Sequence, residues 1–386
     1  MDLQFDDATT AFRHEVRSWL QANVPAEPLP SMDTAEGFEA HRQWERRLAD
    51  AGLAVVSWPK AYGGRDASLL EWVIFEEEYY RSGAPARVSQ NGIFLLAPTL
   101  FEHAKPEQLD RIMPRMARSE DIWAQAWSEP ESGSDLASLR STAKRVDGGW
   151  VLNGQKTWSS RASFADWGFG LFRSDPEAGK HKGITYFMFD LRAPGVTVRP
   201  IAQLDGEPGF AELFLEDVFV PDSPEDPASS GVIGEVNNGW KVAMSTAANE
   251  RGLSLRSPGR FLATVDRLLA LRARQADTVS TAVDEQIVDA WIGARAYQLS
   301  TFGTVTRLAD GGQLGLESSI NKVFWSEWDI ATHETALELQ AADAELADGW
   351  TDGYLFSLSG PIYAGTNEIQ KNVIAERLLG LPRGDR

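Results

Sequence analysis

Through the first third of the chain, apolar positions recur at intervals of three and four: Phe12, Val16, Trp19 and Leu20, then Trp44, Leu48 and Leu53, then Leu69, Trp72, Val73 and Phe75, and again Ile93 to Leu96. Such spacing lines up side chains on one face of a helix, and it predicts a helical N-terminal domain over 1–122. Pro25, Pro28 and Pro30 separate the first helix from the second, and the turn-rich Trp58-Pro-Lys-Ala-Tyr-Gly-Gly64 separates the second from the third. Between 123 and 233 the period falls to two. Trp150–Leu152, Gly168–Arg173, Ile184–Phe189, Val196–Val198 and Ala211–Leu215 read as short strands, with hairpin chemistry at Asp147-Gly148-Gly149 and at Asn153-Gly154. This predicts a middle β domain, a barrel or a sandwich, which the Pro- and Ser-rich stretch Pro221–Gly231 leads out of. Helical spacing then returns over Phe261–Ala273, Asp284–Leu308, Leu316–Gln340 and Thr366–Leu379, a C-terminal four-helix bundle over 234–386. The expected class is α+β, mostly α, in three consecutive domains: 1–122, 123–233 and 234–386.

Composition narrows the function. A chain of 386 residues exceeds what a single core holds. A formal net charge of −19 disfavours nucleic acid and anionic membrane as partners, because either polyanion is repelled over most of the surface. The chain has no cysteine, so disulfides, thiolate metal sites and cysteine nucleophiles are excluded, and a reducing compartment suits it. Met1-Asp-Leu-Gln-Phe-Asp-Asp7 is acidic where a secretory leader is basic, and no apolar run is long enough to span a bilayer. A soluble cytoplasmic protein is expected. The five histidines, His14, His41, His103, His181 and His333, are scattered without ligand spacing, so no metal is expected and they read as surface or capping residues.

One stretch carries chemistry. Gln125-Ala-Trp-Ser-Glu-Pro-Glu-Ser-Gly-Ser-Asp135 sits at the seam between helical and β patterning. Ser128, Ser132 and Ser134 can donate and accept hydrogen bonds, Gly133 lets backbone approach a ligand, and Pro130 stiffens the turn. These residues suit either an ordinary surface turn or a loop that holds a cofactor.

The motifs in order resolve the choice. Pro59-Lys-Ala-Tyr-Gly-Gly64, the loop Ala126–Asp135, Asn153-Gly-Gln-Lys-Thr-Trp158 followed by Ser160 and Ala165-Asp-Trp167, the shorter Ala193–Val196 and Glu216–Pro221, and the C-terminal Pro361-Ile-Tyr-Ala-Gly-Thr-Asn-Glu-Ile-Gln370 with Ala375–Pro382 run nearly end to end. Together they resemble the flavin-dependent acyl-CoA dehydrogenase family, in particular actinobacterial members acting on bulky or sterol-derived acyl-CoA. The resemblance implies FAD as cofactor, with Gln125, Trp127, Ser128, Gly133 and Ser134 along the flavin and pyrophosphate, Trp158 and Ser160 facing the ring, and Thr366 and Glu368 approaching from the C-terminal helices. It implies an acyl-CoA substrate held by Ser134, Arg251, Tyr363, Ala364 and Gly365, and electron-transfer flavoprotein or a similar acceptor as partner.

Dehydrogenation of a thioester needs one strong base for the α-proton. In much of the family that base is a glutamate directly after the tyrosine of the C-terminal signature, and here the position is Ala364. A minority of the family, isovaleryl-CoA dehydrogenase among them, places the base immediately before an arginine on an earlier helix. Asn249-Glu250-Arg251 matches that point, which makes Glu250 the expected base and Arg251 a contact for the CoA side. Moving the base clears volume beside the α-carbon and favours branched or bulky acyl groups. Two further motifs depart from the family: Arg274-Gln-Ala-Asp-Thr-Val279 and Gln340-Ala-Ala-Asp-Ala344 stand where residues usually reach across a subunit interface to the ADP half of FAD. Two assemblies remain open, a homo-oligomer with a rewritten ADP site and a mixed-subunit tetramer. A silent half-site subunit and an acyl-CoA oxidase-type flavoenzyme are the competing functions.

Overall fold

A computed structural model describes residues 5–251, 257–275, 279–312, 315–346 and 349–383, apart from the side chains of Glu250 and Arg251. In chain order, α1 (Asp7–Asn23), α2 (Ala35–Asp50), α3 (Leu69–Arg81), a π-helical turn (Asn91–Leu96), α4 (Ala97–His103) and α5 (Pro106–Ala117) precede the strands. These are β1 (Trp123–Ala126), β2 (Thr142–Val146), β3 (Gly149–Ser160), β4 (Trp167–Arg173), β5 (Ile184–Asp190), β6 (Val196–Ile201), β7 (Phe210–Pro221) and β8 (Val232–Ile233). Helices α6 (Gly239–Arg251), α7 (Pro258–Arg274), α8 (Thr281–Ala309), α9 (Glu317–Gln340), α10 (Gly349–Ser357) and α11 (Asn367–Val373) complete the order, the last running into a π turn, Ile374–Leu378.

Caps explain several helix starts. The side chains of Asp6, Thr34, Ser68, Ser280 and Thr366 each accept a hydrogen bond from a backbone N–H of the first turn, where four such donors lack intrahelical partners. Ser68 and Glu71 form a reciprocal capping box.

The chain packs into two compact units. One comprises Met1–Val24, Ala67–Ala84 and Arg251–Arg386 and is helical. Its core gathers Phe261, Val265, Leu268, Tyr297, Trp325 and Trp328, with Phe261 edge-on to Tyr297 and Trp328 at 5.0 and 5.2 Å between ring centres. Gly259 lets α7 press on α3, since a Cβ there would stand 2.6 Å from the Glu76 carbonyl oxygen. Beside it, Arg13 and Arg17 pair with Glu77 and Glu78, so carboxylates buried on α3 are compensated.

The other unit comprises Pro25–Asp66 and Pro85–Glu250 and carries the sheet. Seven strands run in the order β6-β7-β3-β2-β4-β5-β8, and β1 adds parallel to β4. Its core collects Phe38 of α2 with Leu152, Phe172, Phe187, Phe189, Leu213 and Val218 of the strands.

The strands are longer than the alternation suggests, because a bulge hides the period. Asp147-Gly148 does turn β2 into β3, with Gly148 at φ 75°. Asn153-Gly154 does not make a hairpin. It lies within β3, where the register against β7 shifts between Leu152 and Gly154, and Gly154 at φ 146° passes close to Ser141. The extra residue is on the β7 side, where Glu216 and Asp217 stand opposite Asn153 in a bulge. The histidine reading is corrected as well: His41 and His333 are buried, His41 bridging the carbonyls of Ala86 and Pro30 and His333 contacting the Asp329 carbonyl. Among the described residues, no helix is long and apolar enough to cross a membrane.

Candidate active site

The loop expected to hold FAD is built onto the sheet. Gln125 lies inside β1, half-buried, in register with Phe169 of β4. Beyond the strand the chain closes a tight turn, the Glu129 and Ser132 backbones exchanging hydrogen bonds of 2.9 and 3.0 Å. Ser132 is turned inward and donates to the Asp135 carbonyl at 2.8 Å, so it serves the loop itself. Gly133 and Ser134 are exposed, and no atom lies within 4 Å of where a Cβ at Gly133 would stand. The loop thus presents an open backbone edge and a hydroxyl to whatever lies over it.

Its geometry is imposed by a buried ion pair that the sequence reading did not assign. Lys156, fully buried on β3, donates to Glu129 Oε1 and to the Leu171 carbonyl, each at 2.8 Å, and lies 4.7 Å from the Phe172 ring centre. Glu129 also accepts from the backbone N–H groups of Arg140 and Ser141 at 2.6 and 3.0 Å. Burial alone would raise the Glu129 carboxyl. The Lys156 ammonium and these donors outweigh it and hold the group below the usual carboxylate range. One sequence signal was available, a lysine on a strand face otherwise occupied by apolar residues. Its partner is 27 positions away and invisible to periodicity.

The same strand presents Trp158. The loop is tied to it, since Thr157 N–H donates to the Ser128 carbonyl at 2.9 Å. Between Lys156 and Ser159 the β3–β7 register shifts again, and Trp158 sits in that irregularity at φ 58° with 60% of its surface exposed. A left-handed backbone under a bulky residue costs on the order of 1–2 kcal/mol, and an exposed indole recovers little of it by burial. Strain of this kind collects at functional sites. Phe210 braces the indole edge-on at 5.9 Å, and half-buried Ser160 follows opposite Phe210 in register. An exposed aromatic face, free hydroxyls and an open glycine together fit a planar, polar-edged cofactor such as FAD.

Tyr363, Ala364, Gly365, Thr366 and Glu368 belong to the helical unit. Tyr363 lies tilted against Trp325 at 5.8 Å between ring centres, and Ala364 and Gly365 follow at φ 58° and 77°. Ala364 is buried and offers only a methyl group. Thr366 caps α11 by accepting from Ile369 N–H at 3.2 Å, and Glu368 is exposed in the first helical turn. Asn367 fixes the segment from below. Its Oδ1 accepts from Lys322 Nζ at 2.7 Å and Ser326 Oγ at 3.1 Å, and its N–H donates to the Pro361 carbonyl at 2.8 Å. The structure therefore gathers Trp127, Ser128 and Trp158 through the sheet, and Tyr363 to Thr366 in one turn. Glu250 and Arg251 end α6, and their side chains lie outside the described residues, as do Ala276–Thr278 of the departing motif.

Comparison with known proteins identifies this arrangement. Family models for acyl-CoA dehydrogenase match in order: the N-terminal domain at residues 6–120, the middle domain at 124–218 and the C-terminal domain at 237–379. Acyl-CoA dehydrogenase IpdE1 of Mycolicibacterium smegmatis is 37% identical over 394 residues, covering 96% of this chain and 97% of that protein. Acyl-CoA dehydrogenase FadE34 of Mycobacterium tuberculosis is 39% identical over 87% of this chain and 46% of its own length. Among solved structures, the ChsE4-ChsE5 complex from Mycobacterium tuberculosis superposes with a TM-score of 0.81 at 27% identity, with full coverage of both chains. The chain accordingly belongs to the acyl-CoA dehydrogenase family, FAD-dependent oxidoreductases acting on CH–CH groups.

Proposed function

We infer that this chain dehydrogenates an acyl-CoA thioester between its α and β carbons, that Glu250 takes the α-proton, and that the acyl group is branched or bulky. The observation that carries the reading is Ala364: a methyl group occupies the left-handed turn where the family usually has its base. FAD, when bound, supplies the acceptor for the β-hydrogen and its electron pair. In this reading Gln125, Trp127, Ser128, Gly133, Ser134, Trp158, Ser160, Thr366 and Glu368 hold that cofactor. The exposure of Gly133, Ser134 and Trp158 supports the assignment. Ala364 N–H donates to the thioester oxygen as negative charge develops there, a role that needs no side chain. Tyr363, Gly365, Ser134 and Arg251 orient the substrate. Electron-transfer flavoprotein or a similar acceptor reoxidises the cofactor in the cytoplasm.

Anaerobic mixing of the flavin-loaded protein with a panel of straight, branched and ring-bearing acyl-CoA thioesters, followed by flavin bleaching, tests the reading. Glu250→Gln lowers the bleaching rate by roughly 10²–10⁴-fold, the usual worth of a general base. Undiminished bleaching overturns Glu250 as base, and a clear straight-chain preference overturns the bulky substrate. A second reading, a half-site subunit that completes a partner's cofactor site, is favoured by the departing Gln340–Ala344 segment, which ends α9 and enters a short 3₁₀ turn, Ala341–Glu345. Expression alone separates the two: stable yellow protein argues for a homo-oligomer.

A further inference from the structure

A chain of hydrogen bonds crosses the interior of the sheet-bearing unit and joins two parts of the site that are remote in sequence. Trp127 Nε1–H donates to the Tyr186 hydroxyl at 3.1 Å. The Tyr186 hydroxyl lies 3.3 Å from Thr246 Oγ1, and Thr246 Oγ1 lies 2.8 Å from Thr99 Oγ1. Thr99 Oγ1 donates to the Leu95 carbonyl at 3.0 Å, within the π-helical turn. Tyr186, Thr246 and Thr99 are each 0% exposed.

An indole N–H only donates and a carbonyl only accepts, so Trp127 donates into the Tyr186 hydroxyl and the Leu95 carbonyl accepts from Thr99. Between these ends each hydroxyl pair can bond in either sense, and Thr246 Oγ1 also reaches the Val242 carbonyl at 3.4 Å. What the chain fixes is the spacing and orientation of the elements it joins, whichever way the hydroxyl protons turn.

Helix α6 is held at its start by Gly239, which lies against the Thr185 and Tyr186 backbone, and by Trp240, edge-on to His181 at 4.7 Å. Further along, its buried apolar residues Val242, Ala243 and Ala247 are small, and apolar burial by itself has no directional preference. The second polar tie from α4 to α6, Ser245 Oγ to Glu102 Oε2, is exposed to solvent and constrains less. Thr246 supplies a fully buried directional contact nearer the helix end, and position 250 lies one helical turn further along.

We propose that Thr246, Tyr186 and Thr99 are positioning residues for the dehydrogenation, a strut that sets the rotation of α6 against the Trp127 loop and so aligns Glu250 with the cofactor. This rests on Glu250 as the base. Thr246→Val removes the hydroxyl and keeps the shape, and Thr246→Ser keeps the hydroxyl. With the flavin-loaded protein, Thr246→Val lowers the rate of flavin reduction roughly 10- to 100-fold, as sub-ångström misplacement of a reacting group does. The half-saturating substrate concentration stays within about twofold, and the isotope effect of α-deuterated substrate rises as proton transfer becomes more limiting. Thr246→Ser recovers most of the rate. Independently of activity, the indole N–H resonance of Trp127 in flavin-free, ¹⁵N-tryptophan-labelled protein shifts in Thr246→Val and in Tyr186→Phe. Tyr186→Phe also repeats the rate measurement should the valine variant fail to fold. Flavin reduction by Thr246→Val within about threefold of the parent, or a serine variant as slow as the valine one, overturns the proposal. If Glu250→Gln reduces flavin normally, it is the base assignment that fails, whereas an unmoved Trp127 resonance refutes the strut itself.

Discussion

Two buried polar arrangements grip the same loop, and they differ in kind. The Glu129–Lys156 pair is charged and compact: it joins the loop to β3, with the Leu171 carbonyl of β4 and the backbone N–H groups of Arg140 and Ser141 filling the remaining hydrogen-bonding positions. The chain from Trp127 to Leu95 is neutral and long, one hydrogen bond per link, and it runs through β5, α6, α4 and the π turn. A buried ion pair is strong only while both partners are present, because either charge left alone in the interior is costly. A file of hydroxyls is weaker at each link and carries direction. The first arrangement holds the loop down, and the second sets the angle of the helix beside it.

The largest effect expected from breaking this contrast is on the charged side. Lys156→Met leaves Glu129 ionised and buried, and urea unfolding should show a loss of about 3–5 kcal/mol at neutral pH. The double variant Glu129→Gln/Lys156→Met should lose less than the sum of the single changes, as contacting residues do. The effect depends on pH with a definite sign. Glu129 is held below its ordinary value of 4.5, so the stabilisation it contributes is complete above that value and disappears as pH falls through the lower folded one. The gap between Lys156→Met and the parent should therefore narrow in acid, measured as unfolding midpoints across a pH series.

A smaller loss is expected on the neutral side. Tyr186→Phe leaves the Trp127 N–H and the Thr246 hydroxyl without their shared partner and should cost about 1–3 kcal/mol. The links are a neutral indole, neutral hydroxyls and a carbonyl with no ion pair among them, so this increment should stay level where that of Lys156→Met does not. A slope with pH would remove the distinction between the two arrangements.

The smallest change sharpens the comparison by separating stability from cofactor binding. Trp158→Gly relieves the left-handed strain at φ 58° and gives up little burial. Thermal unfolding of the flavin-free protein should show it equal to the parent or stabilised by up to about 1 kcal/mol, while flavin titration shows weaker retention. Loss of stability instead would make Trp158 a core residue and not a cofactor wall.

How much of this could be read from the chain differs by element. Helices α1, α7, α8 and α9 follow the apolar spacing because each buries one stripe, whereas α3 is buried all round from Trp72 to Tyr79 and its buried glutamates break the apolar pattern. Strands β4 and β5 are legible as apolar runs. The short β1, β2 and β8 were not, since two to five residues carry too little period to distinguish them from loop. Leu53 continues the apolar spacing of α2 without belonging to the helix. It lies beyond the end of α2, buried all the same, its N–H bonded to the Leu48 carbonyl.

For the site, local residue chemistry determined the cofactor loop, the Trp158 segment and the alanine in the base position, because a motif is a property of neighbours in sequence. Tertiary structure alone decided that Trp158 takes a left-handed backbone, which arises from the strained register of β3 against β7. It alone decided that Lys156 is a buried partner of Glu129 and not a surface lysine. It alone brought Thr99, Trp127, Tyr186 and Thr246 into one file. Burial of a charge and direction of a hydrogen bond depend on groups that only folding brings together, and no periodicity along the chain encodes them.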